Sequence, residues 1–206
     1  MQLDCSADGI LQCALIVKSG GVIVFPTDTI YGIGCDPRND AAVGRIFAIK
    51  GRDEKKPLPV LVGGVDAAEK LVNLGRTGRA LAKKFWPGAL TIVAPIIDTE
   101  ISARVTAGRS SLAVRMPANQ CILDLLAQCE CLVGTSANLS GKASSRTVQQ
   151  VIDSGLQGYD ALLASSDALM GTESTIIDIS GSKPTIARHG AIDPVKVMEF
   201  LAHERF

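Results

Sequence analysis

The sequence is poor in aromatic residues, only 4% of 206, so its core must be built from aliphatic side chains. It carries no net charge, because 21 Lys and Arg balance 21 Asp and Glu. That balance argues against wholesale coating of nucleic acid, which needs several net phosphate contacts, but it leaves room for a local basic patch. No apolar run approaches the ~20 residues that span a bilayer. The start, MQLDCSADG, lacks the basic-then-apolar form of a signal peptide. None of the six cysteines belongs to a CxxC pair. Cys129 and Cys131 form a CxC, but no histidine or second cysteine pair stands at metal spacing. Reduced, buried thiols and a cytoplasmic location are therefore expected. The two standard phosphate loops, G-x-x-x-x-G-K-[ST] and G-x-G-x-x-G, are both missing, as is a G-x-S-x-G elbow. With only His189 and His203, a Ser/His/Asp triad has little support, and covalent catalysis by a side-chain nucleophile is not expected.

What is present is an ordinary globular composition, 47% hydrophobic and 20% charged. It suits one α/β domain over residues 1–206, with no repeat, low-complexity tract or linker dividing it. The stretch from Val22 to Arg52 carries the most information. Val22 to Phe25 is an apolar run short enough for a buried strand. Pro26 breaks it, and a turn rich in hydroxyls and glycine follows, with Thr27, Asp28, Thr29, Tyr31, Gly32 and Gly34. A helical pattern from Ala41, capped by Asn39 or Asp40, then leads to the basic end Lys50 and Arg52. Strand, polar glycine loop, helix and basic loop is the layout of a nucleotide or small-anion site.

Elsewhere the pattern predicts helices at 8–18 (capped by Ser6), 65–74, 77–85, 120–129, 146–156 and from Pro194 to the end. It predicts strands at 58–62, 89–97, 111–116, 132–133, 161–164, 174–179 and 185–188, with an irregular crossing at 101–109. Trp86 reads as a core plug. Four strands finish in polar or basic groups: Thr27-Asp28-Thr29, Arg115, Thr135-Ser136-Asn138 and Arg188. Gathered on one sheet edge, they make a cleft of hydroxyls and guanidinium groups. Arg115, at the end of an apolar run, needs either an anionic ligand or a structural carboxylate partner, and the segment alone does not choose. Basic groups with hydroxyls favour a reaction run by positioning and charge stabilisation, such as transfer at a nucleotide phosphate.

Six segments in order, PTDTIYGIG, KGR with KPL, FWPGALTIV, SLAVRMP, TSANLSGKASSRT and STIID, resemble the YrdC-like family, the L-threonylcarbamoyladenylate synthases. The resemblance covers nearly the whole chain. It implies a twisted mixed open sheet, parallel and antiparallel, flanked by helices around a basic central cavity. It implies synthesis of threonylcarbamoyl-AMP and pyrophosphate from L-threonine, bicarbonate and ATP, with Mg2+ accompanying ATP and no protein side chain assigned to the metal. The product serves tRNA modification next to the anticodon, so tRNA and a downstream threonylcarbamoyl transferase are implied as partners. Carried over by motif, Thr29, Arg115, Thr135, Ser136 and Ser174 hold threonine. Lys50, Arg52, Lys56, Ser111, Asn138, Arg146 and Arg188 hold ATP, and Lys50, Arg52, Ser136 and Asn138 form the catalytic set, with Lys50 and Arg52 expected to be partly exposed. The attacking atom is a carbamate oxygen made from threonine's own amine. Two departures stand out: Leu61 occupies a place where some relatives carry histidine, and the chain corresponds to the short, single-domain form. A YrdC-fold paralogue that binds nucleotide or RNA without this activity is the alternative.

Overall fold

The computed structural model describes residues 1–166 and 169–204. In chain order its elements are β1 (Gln2–Asp4), α1 (Ala7–Lys18), β2 (Ile23–Phe25), β3 (Gly32–Gly34), α2 (Asp40–Lys50), β4 (Val60–Val62), α3 (Val65–Leu71), α4 (Gly75–Phe85), β5 (Leu90–Pro95), α5 (Ala103–Thr106), β6 (Ser111–Arg115), α6 (Gln120–Cys129), β7 (Cys131–Val133), β8 (Thr135–Ser136), α7 (Val148–Asp153), β9 (Ala161–Ala164), β10 (Thr175–Asp178), β11 (Thr185–Arg188) and α8 (Pro194–His203). The last two residues of the expected terminal helix, 205 and 206, lie outside the described residues.

Among the described residues, six helices, α1, α2, α5, α6, α7 and α8, start where a side chain supplies the missing hydrogen bond of the first turn. Ser6 accepts from Gly9 N–H, Asn39 from Ala42 N–H and Asn119 from Ile122 N–H. The helix α2 stops at Gly51, whose φ of 57° is left-handed. Expected boundaries of α6, β9 and β11 coincide with the observed ones, and Trp86 is buried with its indole N–H on Leu90 O at 2.7 Å. Helix α3 ends at Leu71, earlier than expected, because Val72 turns extended and bridges Ile96.

The α/β, mixed-strand architecture is the expected one, arranged as two sheets. One has the order β1-β9-β2-β3-β8, the other β11-β10-β5-β6-β4-β7. Each mixes parallel pairs (β2 with β9, β4 with β6) and antiparallel pairs (β2 with β3, β5 with β6). Strand β2 is buried on both faces: Val22 and Val24 enter the larger core cluster, Ile23 and Phe25 the smaller one beneath α1 and α6. Alternating side chains of one strand therefore serve two cores, which is why its sequence is an unbroken apolar run.

Four expectations need correction. The polar strand ends do not share one sheet edge: Thr27–Thr29 and Thr135–Ser136 belong to the first sheet, Arg115 and Arg188 to the second. Gly32–Gly34, read as turn, is strand β3. A Cβ at Gly34 would overlap the carbonyl oxygen of Val133, so glycine is needed for that close approach. The stretch 101–109 is not irregular throughout. It contains α5, capped by Ser102 and ended by left-handed Ala107 and Gly108, φ 53° and 73°. Finally, the cysteines are not all reduced. Cys5 and Cys121 form a disulfide across 116 residues of sequence, because the packing of α1 on α6 brings their Cα atoms to 5.5 Å. Cys13, Cys35, Cys129 and Cys131 are free. Among the described residues, no helix is long and apolar enough to cross a membrane.

Candidate active site

The loop between β2 and β3 is folded by its own hydroxyls. Thr27 Oγ1 donates to Ile30 O at 2.7 Å and accepts from the N–H groups of Thr29 and Ile30. Outside the loop, Tyr31 N–H bonds Ser145 O, and Gly171 N–H bonds Thr29 O. The side chain of Thr29 is thereby presented to the second sheet, where Arg115 waits at the end of β6.

Arg115 resolves the choice its sequence left open. It is 6% exposed, and its Nη2 donates to Asp28 Oδ1 at 2.6 Å, an ion pair that is buried on both sides. Nη1 donates to Thr29 Oγ1 at 3.0 Å and Nε to Gly88 O at 2.9 Å. The structural carboxylate partner is therefore real. A guanidinium has five N–H donors, so two remain for a ligand. Burial lowers the Arg115 pKa, Asp28 works against that, and the nearby Arg188 cation adds to the lowering. Asp28 Oδ2 is buried without a hydrogen-bond partner.

A second cation is fully enclosed. Lys50, at the end of α2, is 2% exposed, which corrects the expectation of partial exposure. Its Nζ donates to the backbone carbonyls of Ser136 and Asn138, at 2.7 Å for the latter. Lys50 thus clamps the Thr135–Asn138 turn onto α2, and Ser140 N–H returns a bond to Lys50 O. The Asn138 amide N–H group holds Leu139 O and Lys142 O, leaving its Oδ1 buried and unpartnered. Burial pushes the Lys50 ammonium down to about 8, with Arg52 lowering it further and Glu173 opposing.

A third group lies at the start of β10. Ser174 Oγ shares a 2.7 Å hydrogen bond with Thr91 Oγ1 and accepts from Arg188 Nη2 at 3.1 Å. Arg188 also bonds Ser174 O twice and makes an ion pair with Glu173 at 2.6 Å. Gly190 permits this closeness, since a Cβ there would strike the backbone of Glu173 to Thr175.

These groups face one cavity of about 340 Å³, within the range of small-molecule sites. Of the residues singled out in the sequence, its walls contain Thr29, Arg52, Ser111, Arg115, Thr135, Ser136, Ser174 and Arg188. Lys50 and Asn138 sit behind the wall, supporting Ser136. Lys56 is exposed away from it, and the Arg146 side chain lies over Gly171. None of α7 lines the cavity. The walls add Thr91, Arg109, Glu173 and Asp178, which sequence reasoning did not select. Glu173 directly precedes Ser174 and Arg109 stands two residues before the strand of Arg115, but neither carried a spacing signal. Leu61, packed against Gly134, supplies part of an apolar wall with Phe25 and Ala113. Among the described residues, no cluster of three or more His, Cys, Asp or Glu is arranged to hold a metal ion.

A family model described as Sua5_yciO_yrdC, telomere recombination, matches residues 15–190. The threonylcarbamoyl-AMP synthase of Bacillus subtilis is 33% identical over 196 residues, covering 93% of this chain and 56% of that protein. That of Pyrococcus abyssi is 34% identical over 186 residues, covering 89% and 54%. The putative threonylcarbamoyl-AMP synthase of Mycobacterium leprae is 32% identical over 202 residues, covering 96% and 90%. The chain therefore spans about half the length of the first two relatives and most of the third. Among solved structures, P. abyssi Sua5 complexed with L-threonine superposes with a TM-score of 0.93 at 29% identity, covering 100% of this chain and 62% of that one. E. coli YciO gives 0.83 at 25% identity, covering 96% and 97%.

Proposed function

The chain belongs to the Sua5/YciO/YrdC family, and from that premise we propose that it is a threonylcarbamoyl-AMP synthase, using L-threonine, bicarbonate and ATP. The observation that carries the reading is one cavity whose wall combines the hydroxyls of Thr29, Ser111, Thr135, Ser136 and Ser174 with the guanidinium groups of Arg52, Arg115 and Arg188.

In this reading the two uncommitted N–H groups of Arg115 take the threonine carboxylate. The hydroxyls of Thr29, Thr135, Ser136 and Ser174 fix its amine and hydroxyl. The amine adds to the carbon of bicarbonate, a C–O bond breaks and water leaves with the displaced oxygen and the amine proton, giving a carbamate. A carbamate oxygen then attacks the α-phosphorus of ATP, the bond from phosphorus to the bridging oxygen breaks, and pyrophosphate leaves with that electron pair. No protein nucleophile is required. Arg52 and Arg188 offset the charge that grows on the phosphoryl oxygens. Lys50 acts from behind, by its hold on the Ser136 and Asn138 carbonyls and by its charge. Lys56 and Arg146 reach ATP only by side-chain movement. Mg2+ enters with ATP as part of that substrate. The product's onward use in tRNA modification, through a threonylcarbamoyl transferase, is part of the same proposal.

The test is pyrophosphate release from ATP by the purified chain. It is expected to need both threonine and bicarbonate. Release that ignores threonine, or calorimetry showing that threonine binds neither alone nor with ATP, refutes the proposal and favours a nucleotide- or RNA-binding paralogue.

A further inference from the structure

Four arginines line the cavity, and three are committed. Arg115 is tied to Asp28, Thr29 and Gly88, and Arg188 to Glu173 and Ser174. Arg52 is bonded to the carbonyls of Lys56 and Pro57. The fourth, Arg109, is exposed, and among the described residues its guanidinium has no hydrogen bond or ion pair. The two carboxylates of the same walls do not take it. Glu173 pairs with Arg188, and Asp178 accepts from Ser180 N–H and Oγ–H.

The backbone that carries Arg109 is held firmly for an exposed residue. Helix α5 ends in two left-handed residues, Ala107 and Gly108, and Arg109 N–H bonds Thr106 O at 3.2 Å. An L-residue such as Ala107 enters that region at a cost, so the turn is imposed by its surroundings. Arg104 in α5 forms ion pairs with Asp40 of α2 and with Glu54 of the basic loop, at 3.1 and 2.6 Å. Leu58 N–H, just after that loop, bonds Val105 O at 2.8 Å. The turn of Arg109 and the loop of Arg52 are thereby fastened to each other, and both side chains enter the same cavity. Arg115 and Thr29, proposed to hold the amino acid, are buried, Arg115 at the far end of β6 from Arg109.

We propose that Arg109, together with Arg52, receives the β- and γ-phosphates of ATP and holds the pyrophosphate as it leaves. This rests on the synthase reading above and adds a residue to it. The chemistry is that of a pre-placed, unpaired guanidinium at an open rim. It attracts a polyphosphate, its fork matches two phosphoryl oxygens, and its exposure lets the product depart to solvent. The negative charge that develops on the leaving oxygen when the α-phosphorus bond breaks is offset by this cation.

The experiment compares wild type, Arg109→Ala and Arg109→Lys, with inorganic pyrophosphate as the probe. Arg109→Ala is expected to weaken product inhibition by pyrophosphate and to raise the KM for ATP, each about tenfold, the scale of one charge-assisted contact. Threonine and AMP affinities should stay within about twofold, and Arg109→Lys should recover part of the loss. The thermal melt should not move, because the side chain is exposed and unpartnered. Unchanged pyrophosphate inhibition in Arg109→Ala, or an equal loss of threonine affinity, overturns the assignment. Were wild type to release no pyrophosphate with all three substrates, the synthase reading would fail. Calorimetry of pyrophosphate binding to wild type and Arg109→Ala would still decide the role of Arg109.

Discussion

Replacing Asp28 by Asn tests whether the Arg115–Asp28 pair holds the site together. Both partners are buried, and Asp28 Oδ1 takes a 2.6 Å bond from Arg115 Nη2. Removing the carboxylate charge leaves the guanidinium bonded to Thr29 and Gly88 but electrostatically uncompensated in a low-dielectric setting. Breaking one side of a buried pair costs about 3–5 kcal/mol. An Asn keeps the shape and one weak acceptor, so the lower end, about 3 kcal/mol, is expected. For a chain of this length that shift lowers Tm by roughly 7 °C. Urea denaturation measures it directly, and a cycle with Arg115→Met isolates the coupling. If the pair acts as one unit, the double variant should cost less than the sum of the single variants. The KM for threonine should rise in Asp28→Asn, because Arg115 and Thr29 lose a fixed orientation. A loss below 1 kcal/mol, or additive single variants, would show that the ion pair contributes little and that Arg115 is kept for ligand alone.

The buried Lys50 gives a pH dependence of two opposite signs. Its folded pKa, about 8, lies below the ordinary 10.5. Below pH 8 both states are protonated and the native state bears the cost of burying charge. Between pH 8 and 10.5 the unfolded chain binds more protons, so stability rises with pH, by about 3 kcal/mol for this group. Turnover should fall around the folded value, near pH 8, as the cation is lost from the native protein, and Lys50→Arg should move that limb upward; a limb that stays put would show that the charge is not used. The disulfide should act on stability alone, since neither cysteine lines the cavity. Closing 116 residues in the unfolded chain is worth up to about 5 kcal/mol by loop entropy. Reduction, or Cys5→Ser with Cys121→Ser, is expected to lower Tm by roughly 11 °C with unchanged KM values; a shift under 2 °C would refute it.

The local order of this chain was legible in its residues. The caps at Ser6 and at Asn39 or Asp40, the end of the second helix at Lys50, and the apolar runs at 22–25 and 161–164 each depend on neighbours within a few positions. Such features are set by hydrogen bonds and packing that short segments make for themselves. The strand ends and the basic loop had already offered six residues of the cavity wall, and the resemblance of six ordered segments added the family together with Ser111 and Ser174. What tertiary structure alone decided is partnership over long sequence distances. Asp28 and Arg115 are 87 residues apart, and only the facing of two sheets makes them an ion pair. Lys50, the basic end of a helix by sequence, becomes an enclosed cation because the turn 88 residues later offers it carbonyls. Cys5 and Cys121 pair because α1 lies on α6. Arg109 stands out only by contrast, once the other three cavity arginines are seen to be engaged. A charge's role depends on which groups surround it, and those neighbours are chosen by the fold and not by adjacency along the chain.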